Sequence, residues 1–521
     1  MDRRKFIRNV SLASLTVPFF VKNLSAQAML SSGFDIPVSY EDRVLVIIRM
    51  NGGNDGLNTV IPLDQYSNLS IQRPNIILPE SKILLGTNEL GFHPAMSGIQ
   101  NLFQQGRAAV IQGVGYPEQN RSHFRSNDIW TAGSTSTDEN RGWLGRYFEQ
   151  NHSQYPANYP NDEYPDPFAI SLGGSLSATC QGSVSNFSAL VSNPSNSFNL
   201  NESAVINDGT MYGCNLDFVS TLIEQTNAYG ARINEAYDLG SSLSNHYYLD
   251  NNPQNDYKSS LAKQLRYVAQ MIAGGMQSKV YILNIGGFDT HGDQVDTNDT
   301  SLGKHADLLQ QVSDAIHAFE DDLSLLNLDQ RVMGMSFSEF GRQIASNGSN
   351  GTDHGDAAPL LLFGKCISSP VIGSNPLIAG EIENQKGVDM QFDFRDVYAS
   401  VLKDWFRVPE EQIESVFGDH SPAYISLMDG CYSNGLHNEE PILLWPNPGS
   451  GVAFVDFYSH EGQTVVNLVD TKGRVVRTFL EQTLEEGRKK LQLDIYGVSA
   501  GYYRVSINDS NGIKSVALIV Q

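Results

Sequence analysis

The chain has 521 residues, of which 40% are hydrophobic and 10% aromatic, and it carries a formal net charge of −23 at pH 7. This length is too great for a single small domain and fits one large α/β domain with a smaller second domain, while the composition excludes a largely disordered chain. The acidic balance argues against nucleic acid as a partner, because phosphate binding requires a basic face.

The N-terminal segment, residues 1–28, predicts a signal peptide of the twin-arginine type. Basic residues precede an apolar stretch of about a dozen residues that ends near Phe20, and an A-x-A cleavage pattern follows at Ala26-Gln27-Ala28. The order Arg3-Arg4-Lys5-Phe6-Ile7 matches the twin-arginine motif, with an ordinary general-secretory signal as the alternative. No later stretch reaches the ~18–20 apolar residues of a membrane span, so we expect an exported protein without a transmembrane segment.

Five apolar runs predict strands that are buried on both faces of a parallel sheet. They are residues 43–50, 108–114, 279–285, 331–336 and 359–363. Apolar residues at i, i+3 and i+4 spacing from Leu302 to Leu323 predict an amphipathic helix before the fourth run. Strands that alternate with such helices predict an α/β fold with a doubly wound, mainly parallel sheet over residues 40–430. Residues 150–260 are rich in Asn, Ser and Tyr and predict an irregular insertion or cap.

The C-terminal part of the chain has a different pattern. From Leu444 onward, short alternating strands are separated by turn signals such as Lys472-Gly473 and Asn511-Gly512, and no helical period appears. This pattern predicts a small β-sandwich over residues 444–521, joined to the first domain by a linker at residues 431–443.

The four cysteines, Cys180, Cys214, Cys366 and Cys431, form no C-x-x-C pair, so a zinc ribbon is not expected. In an oxidising compartment Cys180 and Cys214 could close a disulfide bond, and the alternative is free or mixed thiols. The sequence alone leaves the pairing open.

Polar residues gather next to the predicted strands. Acidic, histidine, serine or arginine side chains follow four of the apolar runs, and Asp353 and His354 precede the fifth within a glycine-framed segment. Each one alone is typical of a turn, a helix cap or an ion pair. Together they predict one site, because a parallel sheet binds ligands at the carboxyl ends of its strands. Carboxylates gathered there repel one another unless a cation compensates them, and carboxylate and imidazole ligands suit Zn, Mn or Mg.

Seven motifs make the chain resemble the domain-of-unknown-function family 1501, a set of twin-arginine-exported bacterial proteins related to the alkaline phosphatase and sulfatase superfamily. The motifs are Gly52-Gly53-Asn54-Asp55-Gly56-Leu57-Asn58, Gly91-Phe92-His93-Pro94, Arg121-Ser122-His123-Phe124, Gly142-Trp143-Leu144-Gly145-Arg146, Gly287-Phe288-Asp289-Thr290-His291, Ser338-Glu339-Phe340-Gly341-Arg342 and Gly351-Thr352-Asp353-His354-Gly355. The resemblance implies an alkaline-phosphatase-like α/β fold and a site for one or two divalent ions.

The chain order of that superfamily implies a role for each candidate site residue. Ser122 resembles the nucleophile, with Arg121 and His123 beside it as catalytic residues. The implied metal ligands are Asp55, Asp289, His291, Glu339 and His354. The residues implied to surround these ligands are Asn54, Asp293, Arg342 and Asp353. In an alternative registration, Asp353 and His354 form the acid–histidine pair of the fourth motif, and the last histidine is unassigned.

The C-terminal segment resembles a sorting domain of the Bacteroidetes type IX secretion system. The matching residues are Trp445-Pro446-Asn447-Pro448, Asp470-Thr471-Lys472-Gly473-Arg474-Val475-Val476, Ala500-Gly501-Tyr502-Tyr503 and a final apolar strand. This resemblance implies that the type IX machinery is a partner and that the protein is secreted or held at the cell surface. A fibronectin-like accessory domain is the alternative, since a fold pattern alone does not determine function.

The sequence therefore predicts an exported, metal-dependent hydrolase that acts on phosphate or sulfate esters of a small molecule or glycan through a serine nucleophile. The alternative is a non-catalytic secreted or cell-surface binding protein that keeps the same fold.

Overall fold

The computed structural model of the protein describes residues 42–196, 210–428, 443–470, 474–510 and 512–520. The chain divides into two compact units, Met1–Gly430 and Cys431–Gln521. The predicted signal peptide and nearly all of the predicted linker lie outside the described residues.

The first unit is built from short and medium strands around one large mixed sheet. Its strands are β1 (Val44–Met50), β2 (Val60–Pro62), β3 (Leu84–Leu85), β4 (Leu90–Phe92), β5 (Ala108–Gly115), β6 (Ala169–Leu172), β7 (Ser188–Val191), β8 (Val280–Ile285), β9 (Val332–Phe337), β10 (Ala358–Phe363), β11 (Val371–Ile372) and β12 (Phe392–Asp393). Strands β2, β4 and β3 form a separate small sheet.

Helices lie between these strands. They are α1 (Gly56–Thr59), α2 (Tyr66–Gln72), α3 (Ser97–Gln104), α4 (His123–Ala132), α5 (Trp143–Asn151), α6 (Met211–Leu239), α7 (Ser260–Ala273), α8 (Lys304–Leu325), α9 (Phe394–Ser400) and α10 (Glu410–Val416). The alternation of strands and helices confirms the predicted α/β class.

The large sheet has the strand order β11-β5-β10-β9-β1-β8-β6-β7, and β12 also pairs with β5. All of its pairs are parallel except those of β10, which runs antiparallel to both β5 and β9. This reversal positions the site. The loop that precedes β10 enters the sheet at the edge where the neighbouring strands end.

The apolar runs form the centre of this sheet. Strand β1 is buried along its whole length except at Arg49, as expected for a strand covered on both faces. The predicted amphipathic helix is α8, whose apolar stripe, including Leu309, Val312 and Phe319, is fully buried against the sheet core. Leu302, which the pattern included, lies before the helix and is 56% exposed.

The segment at residues 150–260 is more regular than its composition predicts. It contributes strands β6 and β7 to one side of the large sheet, with β7 at the edge, and it contains α6, a helix of 29 residues. Each of these two strands has only four residues, too few to produce a recognisable apolar run. The expectation of an irregular insertion therefore misses elements that extend the sheet.

Two further sequence expectations concern cysteines and membrane spans. Cys180 is buried and Cys214 is exposed, and neither is in a disulfide bond, so the Cys180–Cys214 pairing is wrong. Cys366 is disulfide-bonded. Among the residues that the structure describes, no helix combines the length and apolarity that a membrane crossing needs.

The second unit is a small β domain. Its strands are β13 (Leu443–Ser450), β14 (Val452–Ser459), β15 (Gly462–Asp470), β16 (Val475–Leu484), β17 (Gly487–Asp494), β18 (Gly501–Asp509) and β19 (Gly512–Val520), in the order β16-β15-β18-β19-β13-β14-β17. Its pairs are antiparallel except for β13 with β19. Alternate residues such as Ala453, Val455 and Phe457 are fully buried, which is the two-residue period of a half-buried strand.

Candidate metal centre

Four of the predicted site residues converge at the edge of the large sheet, and we call His123, Asp289, His291 and His354 the His/Asp cluster. His123 begins α4, Asp289 and His291 follow β8, and His354 precedes β10. Ligating atoms of His123, Asp289 and His354 lie within 4.8 Å of one another. These side chains are 22–47% exposed, so the cluster is open to solvent.

The carboxylate of Asp289 lies at the centre of the cluster. Its Oδ1 is 3.1 Å from Nε2 of His354 and 3.1 Å from Nε2 of His291. Its Oδ2 is 3.5 Å from Nε2 of His123. The two Nε2 atoms of His291 and His354 are themselves 2.9 Å apart. One carboxylate therefore faces the same ring nitrogen of three different histidines.

The other nitrogen of each ring, Nδ1, is held by an oxygen. Nδ1 of His354 lies 2.8 Å from the backbone carbonyl of Arg121, which can only accept a hydrogen bond. Nδ1 of His123 is 2.7 Å from Oε1 of Glu339, and Nδ1 of His291 is 2.8 Å from Oδ1 of Asp353. These partners assign the proton to Nδ1 in each neutral ring, which leaves the Nε2 lone pairs directed at the cluster. Metal-binding histidines are oriented in this way in proteins.

Glu339 and Asp353 therefore orient histidines and do not lie in the cluster itself. Glu339 is almost completely buried and also accepts a hydrogen bond of 2.9 Å from the backbone N–H of Gly52. Asp353 also accepts a hydrogen bond from the side-chain amide of Asn347. The structure places Glu339, a predicted direct ligand, beside Nδ1 of His123, on the side of that ring away from Asp289.

Arg342 is fully buried and connects the loops that carry the cluster. Its guanidinium donates to Oδ1 of Asp289 at 2.7 Å and to backbone carbonyls of Gly52, Gly53, Phe288 and Thr352. Although burial alone raises the pKa of Asp289, the hydrogen bond and the positive charge of Arg342 outweigh burial, and the pKa is lowered to about 2. Asp289 is therefore ionised at neutral pH and can act as a ligand oxygen.

The glycines that frame Asp353 and His354 allow close contact between two loops. A Cβ atom on Gly351 would lie 2.5 Å from the backbone oxygen of His291, and one on Gly355 would lie 2.2 Å from the carbonyl carbon of Arg342. Any larger residue would push the loop away from these backbones. The glycines thus bring His354 and Asp353 to the loops after β8 and β9.

Asp55 lies outside the cluster, in a buried ion pair. Both of its oxygens are 2.8 Å from Nη1 of Arg73, and Nε2 of Gln294 donates to its Oδ2 at 2.6 Å. Burial alone raises the pKa of Asp55, but the charge of Arg73 outweighs this effect and lowers it. The predicted ligand role of Asp55 does not fit this placement, because its carboxylate is already neutralised by a guanidinium.

We expect Asp55→Asn to lower stability without changing metal content. The substitution leaves the charge of Arg73 buried without its counterion, which typically costs about 3–5 kcal/mol of unfolding free energy. Urea unfolding, together with elemental analysis of the folded protein, checks this prediction. The exposed Asp162→Asn is the matched control. A loss of bound metal at unchanged stability would instead support the ligand role.

The remaining predicted residues lie around the cluster. Ser122 is exposed at the N-cap position of α4, next to His123, and its hydroxyl makes no capping hydrogen bond. The Arg121 side chain forms a two-point ion pair with Asp356 at 2.7–2.9 Å. Asp293 is 85% exposed and lies 3.4 Å from Lys304. Of these three residues, only Ser122 has a side chain that forms no ion pair, and this residue lies next to His123 of the cluster.

Asn54 belongs to a buried polar group next to the cluster. Its Oδ1 lies 2.9 Å from Nε2 of His305, and its backbone N–H donates to the hydroxyl of Ser338. His305 packs edge-to-face against His93 at 6.0 Å between ring centroids. Burial lowers the pKa of His305 to about 4 and that of His93 to about 3. Both histidines are therefore neutral at pH 7.

These buried histidines predict acid sensitivity. Their folded-state pKa values lie below the unfolded value of about 6.5, so the unfolded state binds more protons. The stability that the two neutral histidines provide is fully present above pH 6.5. It is lost as the pH falls toward 4 for His305 and toward 3 for His93. We expect the unfolding free energy to fall by several kcal/mol between pH 7 and pH 4, measured by urea unfolding at each pH. His305→Gln should flatten this dependence, and an unchanged slope would contradict the prediction.

Several residues of this region have no signal in the sequence. Arg73, Gln294 and Asp356 are separated from their partners by many residues, and none belongs to the motifs that resemble the family. Arg49 lies within the apolar strand β1, so the apolar pattern does not mark it as a site residue. Its pKa is lowered, chiefly by burial. An arginine in an otherwise apolar run is the one available hint, because charged residues are seldom buried without a role.

Two segments of the chain match known protein families. Residues 214–417 match the family described as "Protein of unknown function (DUF1501)". Residues 443–521 match "Secretion system C-terminal sorting domain". No curated protein matches this chain.

Solved structures with a similar arrangement are distant. A protein in the alkaline phosphatase superfamily from Vibrio parahaemolyticus is 10% identical with a TM-score of 0.31, over 87% of this chain and 83% of its own. The PsFucS1 sulfatase from Pseudoalteromonas sp. is 9% identical with a TM-score of 0.33, over 91% and 86%. The lipoteichoic acid synthase LtaP from Listeria monocytogenes is 10% identical with a TM-score of 0.26, over 88% and 92%. Similarities this distant carry no argument about activity.

The DUF1501 match contains three of the seven motifs, those at residues 287–291, 338–342 and 351–355, and the sorting-domain match covers the predicted C-terminal domain. The sorting domain indicates secretion through the type IX system. The chain thus combines a segment that matches the DUF1501 family model with a C-terminal segment that matches the model of a secretion-system sorting domain.

Proposed function

We propose that this protein is a secreted hydrolase that uses one divalent metal ion to cleave phosphate or sulfate esters. The observation that carries the proposal is the convergence of three Nε2 lone pairs on the carboxylate of Asp289. Each imidazole is already oriented by an oxygen on its Nδ1. Such an arrangement is typical of a site prepared for a metal ion.

The donor set fits a transition metal ion. His123, His291 and His354 would supply nitrogen ligands, and Asp289 an oxygen ligand. The separations of 2.9–3.5 Å that join Asp289 to each histidine and His291 to His354 are close to the edge of a tetrahedron with bonds of about 2.0–2.1 Å. Three imidazoles favour Zn or Mn over Mg, because Mg prefers oxygen ligands and retains its waters.

The placement of Asp55 supports one ion and argues against two. A second ion would need ligands outside the His/Asp cluster. One predicted ligand that lies outside the cluster is Asp55. Its carboxylate is bonded by Arg73 and Gln294 in the protein interior. Glu339 is likewise engaged by His123 and Gly52.

Ser122 is the proposed nucleophile. Its hydroxyl is exposed at the start of α4, and the first intrahelical hydrogen bond of α4 runs from the N–H of Ser126 to the carbonyl of Ser122. The N–H groups of the first turn, which precede that bond, favour negative charge on a bound ester. A bound ion supplies Lewis acidity that polarises the ester and eases ionisation of a hydroxyl.

The proposed reaction has two steps. The Ser122 hydroxyl gives its proton to solvent, and its oxygen forms a bond to phosphorus or sulfur. The bond to the ester oxygen breaks, and the alcohol leaves with that electron pair and takes a proton from solvent. Water then attacks the covalent phospho- or sulfo-serine, which releases phosphate or sulfate and restores the hydroxyl.

The test uses the full chain loaded with Zn or Mn and an aryl phosphate and an aryl sulfate as substrates. We expect turnover that a chelator removes and that Ser122→Ala lowers by at least about 10²-fold. Ser67→Ala, at another exposed serine, is the matched control. The absence of turnover on both esters after metal loading would overturn the proposal. Turnover that persists in Ser122→Ala would overturn the nucleophile.

A second candidate function, non-catalytic binding at the cell surface, is favoured by the arginines. The side chain of Arg121 pairs with Asp356, Arg342 is buried, and Arg125 donates to the carbonyl of Thr135. All three therefore have partners, whereas ester hydrolysis benefits from cations that contact the transferred group. A protein that binds metal and a ligand but shows no turnover would support this candidate.

We further propose export through the twin-arginine route before passage through the type IX system. A metal site whose histidines come from three separate loops forms only in the folded chain, and the twin-arginine route carries folded proteins. Arg3→Lys with Arg4→Lys should then retain the protein in the cytoplasm, which cell fractionation measures. Secretion at the normal level would point to the general-secretory route.

A further inference from the structure

A polar cleft lies beside helix α4 and strands β1 and β8. Its volume is about 590 Å³, within the usual range for a small-molecule site. Strands β1 and β8 and helix α4 contribute to its lining. Each of these elements also leads to the cluster, because α4 begins at His123 and the loop after β8 carries Asp289. A ligand in the cleft would therefore extend toward the cluster.

Five polar side chains define this cleft, which we call the amide cleft. They are Arg49, Asn51, Asn127, Gln264 and Asn284. Arg49 and Asn284 are register partners across β1 and β8, and the guanidinium of Arg49 donates to the side-chain oxygen of Asn127. Asn127 lies four residues after His123, so the two side chains are on one face of α4, about 5–6 Å apart at Cβ.

The lining argues for a ligand rich in hydroxyl groups. Most small-molecule sites are lined by apolar side chains, whereas nine of the fourteen residues that line this cleft are polar, and four of these nine are amides. An amide both donates and accepts hydrogen bonds, as a hydroxyl does. A polyanion would require several cations, but the lining residues include one arginine, Arg49, and one acid, Asp128.

The side-chain oxygen of Gln264 supports the same ligand chemistry. It is buried and has no hydrogen-bond partner among the described residues. A buried acceptor without a donor is unfavourable, so a ligand that supplies an O–H group gains affinity by satisfying it. This atom is acceptor-only, and a hydroxyl donor is the matching group.

Helix α4, which lines the amide cleft, also carries an exposed aromatic ring. Phe124 is 87% exposed, and it lies one helical turn before Asp128, which lines the cleft. An aromatic face in this position can cover the apolar C–H face of a sugar ring, while the amides bond to its hydroxyls. We infer that the amide cleft binds the sugar units of a glycan that carries the ester group.

This inference rests on the proposed hydrolysis for the ester, but the binding of sugars can be measured separately. The experiment titrates the full chain with oligosaccharides that carry no ester, namely maltohexaose, cellohexaose, xylohexaose and an unsulfated chondroitin hexasaccharide, up to about 10 mM. Isothermal titration calorimetry compares Phe124→Ala and Gln264→Leu with matched controls. The controls are Tyr496→Ala, at an aromatic residue 81% exposed in the second unit, and the exposed Gln277→Leu.

We expect saturable binding of at least one oligosaccharide, weakened about three- to tenfold by each cleft variant and unchanged in the controls. No saturable binding of any of the four, or binding that both cleft variants leave unchanged, would overturn the inference. The outcomes also separate the two proposals. Turnover of aryl esters without sugar binding overturns only the cleft, whereas sugar binding that depends on the cleft without any turnover overturns only the hydrolysis.

Discussion

Asp289→Asn is expected to abolish stoichiometric binding of Zn or Mn. The Asp289 carboxylate is the one group that faces Nε2 of all three histidines, and the amide that replaces it is neutral and a poor ligand. Elemental analysis after metal loading and dialysis should show about one ion per wild-type chain and less than about a tenth of that in the variant. Circular dichroism verifies that the variant folds.

A graded series distinguishes ligands from the residues that orient them. Asp353→Asn keeps an oxygen near Nδ1 of His291 but removes its charge, so we expect metal affinity to fall by about 10–100-fold without loss of the site. Asp293→Asn, on the same loop as Asp289 but 85% exposed, is the control and should bind as the wild type does. Equal metal content in all three variants would contradict the candidate centre.

Arg342→Met is expected to cause the largest loss of stability among single substitutions at the site. The guanidinium is fully buried, and it donates to four backbone carbonyls as well as to Asp289. Methionine fills a similar volume but leaves these oxygens without donors. Breaking a buried, hydrogen-bonded charge of this kind typically costs about 3–5 kcal/mol. Chemical unfolding of the variant checks the value.

The control for Arg342→Met is Arg125→Met, at an arginine that donates to the carbonyls of Thr135 and Ser136 near the surface. We expect a change within about 1 kcal/mol there. Because Arg342 connects the loop after β1 with the two loops that carry Asp289, His291 and His354, its variant should also bind metal more weakly at a temperature where it is still folded. A stable Arg342→Met variant with normal metal content would show that the loops do not depend on this residue.

Much of the fold was predictable from local patterns. The apolar runs at 43–50, 108–114, 279–285, 331–336 and 359–363 correspond to β1, β5, β8, β9 and β10 within one or two residues. Buried strands need continuous apolar residues, and that requirement is visible in the sequence. Shorter strands such as β6 and β7 carry too few residues to show it.

The gathering of polar residues was also predictable, because parallel strands end at a common edge. Three predicted ligands, Asp289, His291 and His354, lie together in the structure, and His123 joins them from the predicted nucleophile segment. The direction of β10 could not be read from its apolar residues, since the two-residue period is the same in both directions. That reversal brings a segment preceding a strand to the edge where other strands end.

The sequence by itself determined the five long buried strands, helix α8, the glycine-framed loops and the kinds of side chain available at the sheet edge. The tertiary structure decided what each acid does: Asp55 pairs with Arg73, Glu339 and Asp353 orient histidines, and Asp289 faces the cluster. The physical reason is that a carboxylate in an interior is governed by its nearest cation or donor. That cation or donor belongs to a residue far away in the sequence, so local sequence patterns do not reveal it.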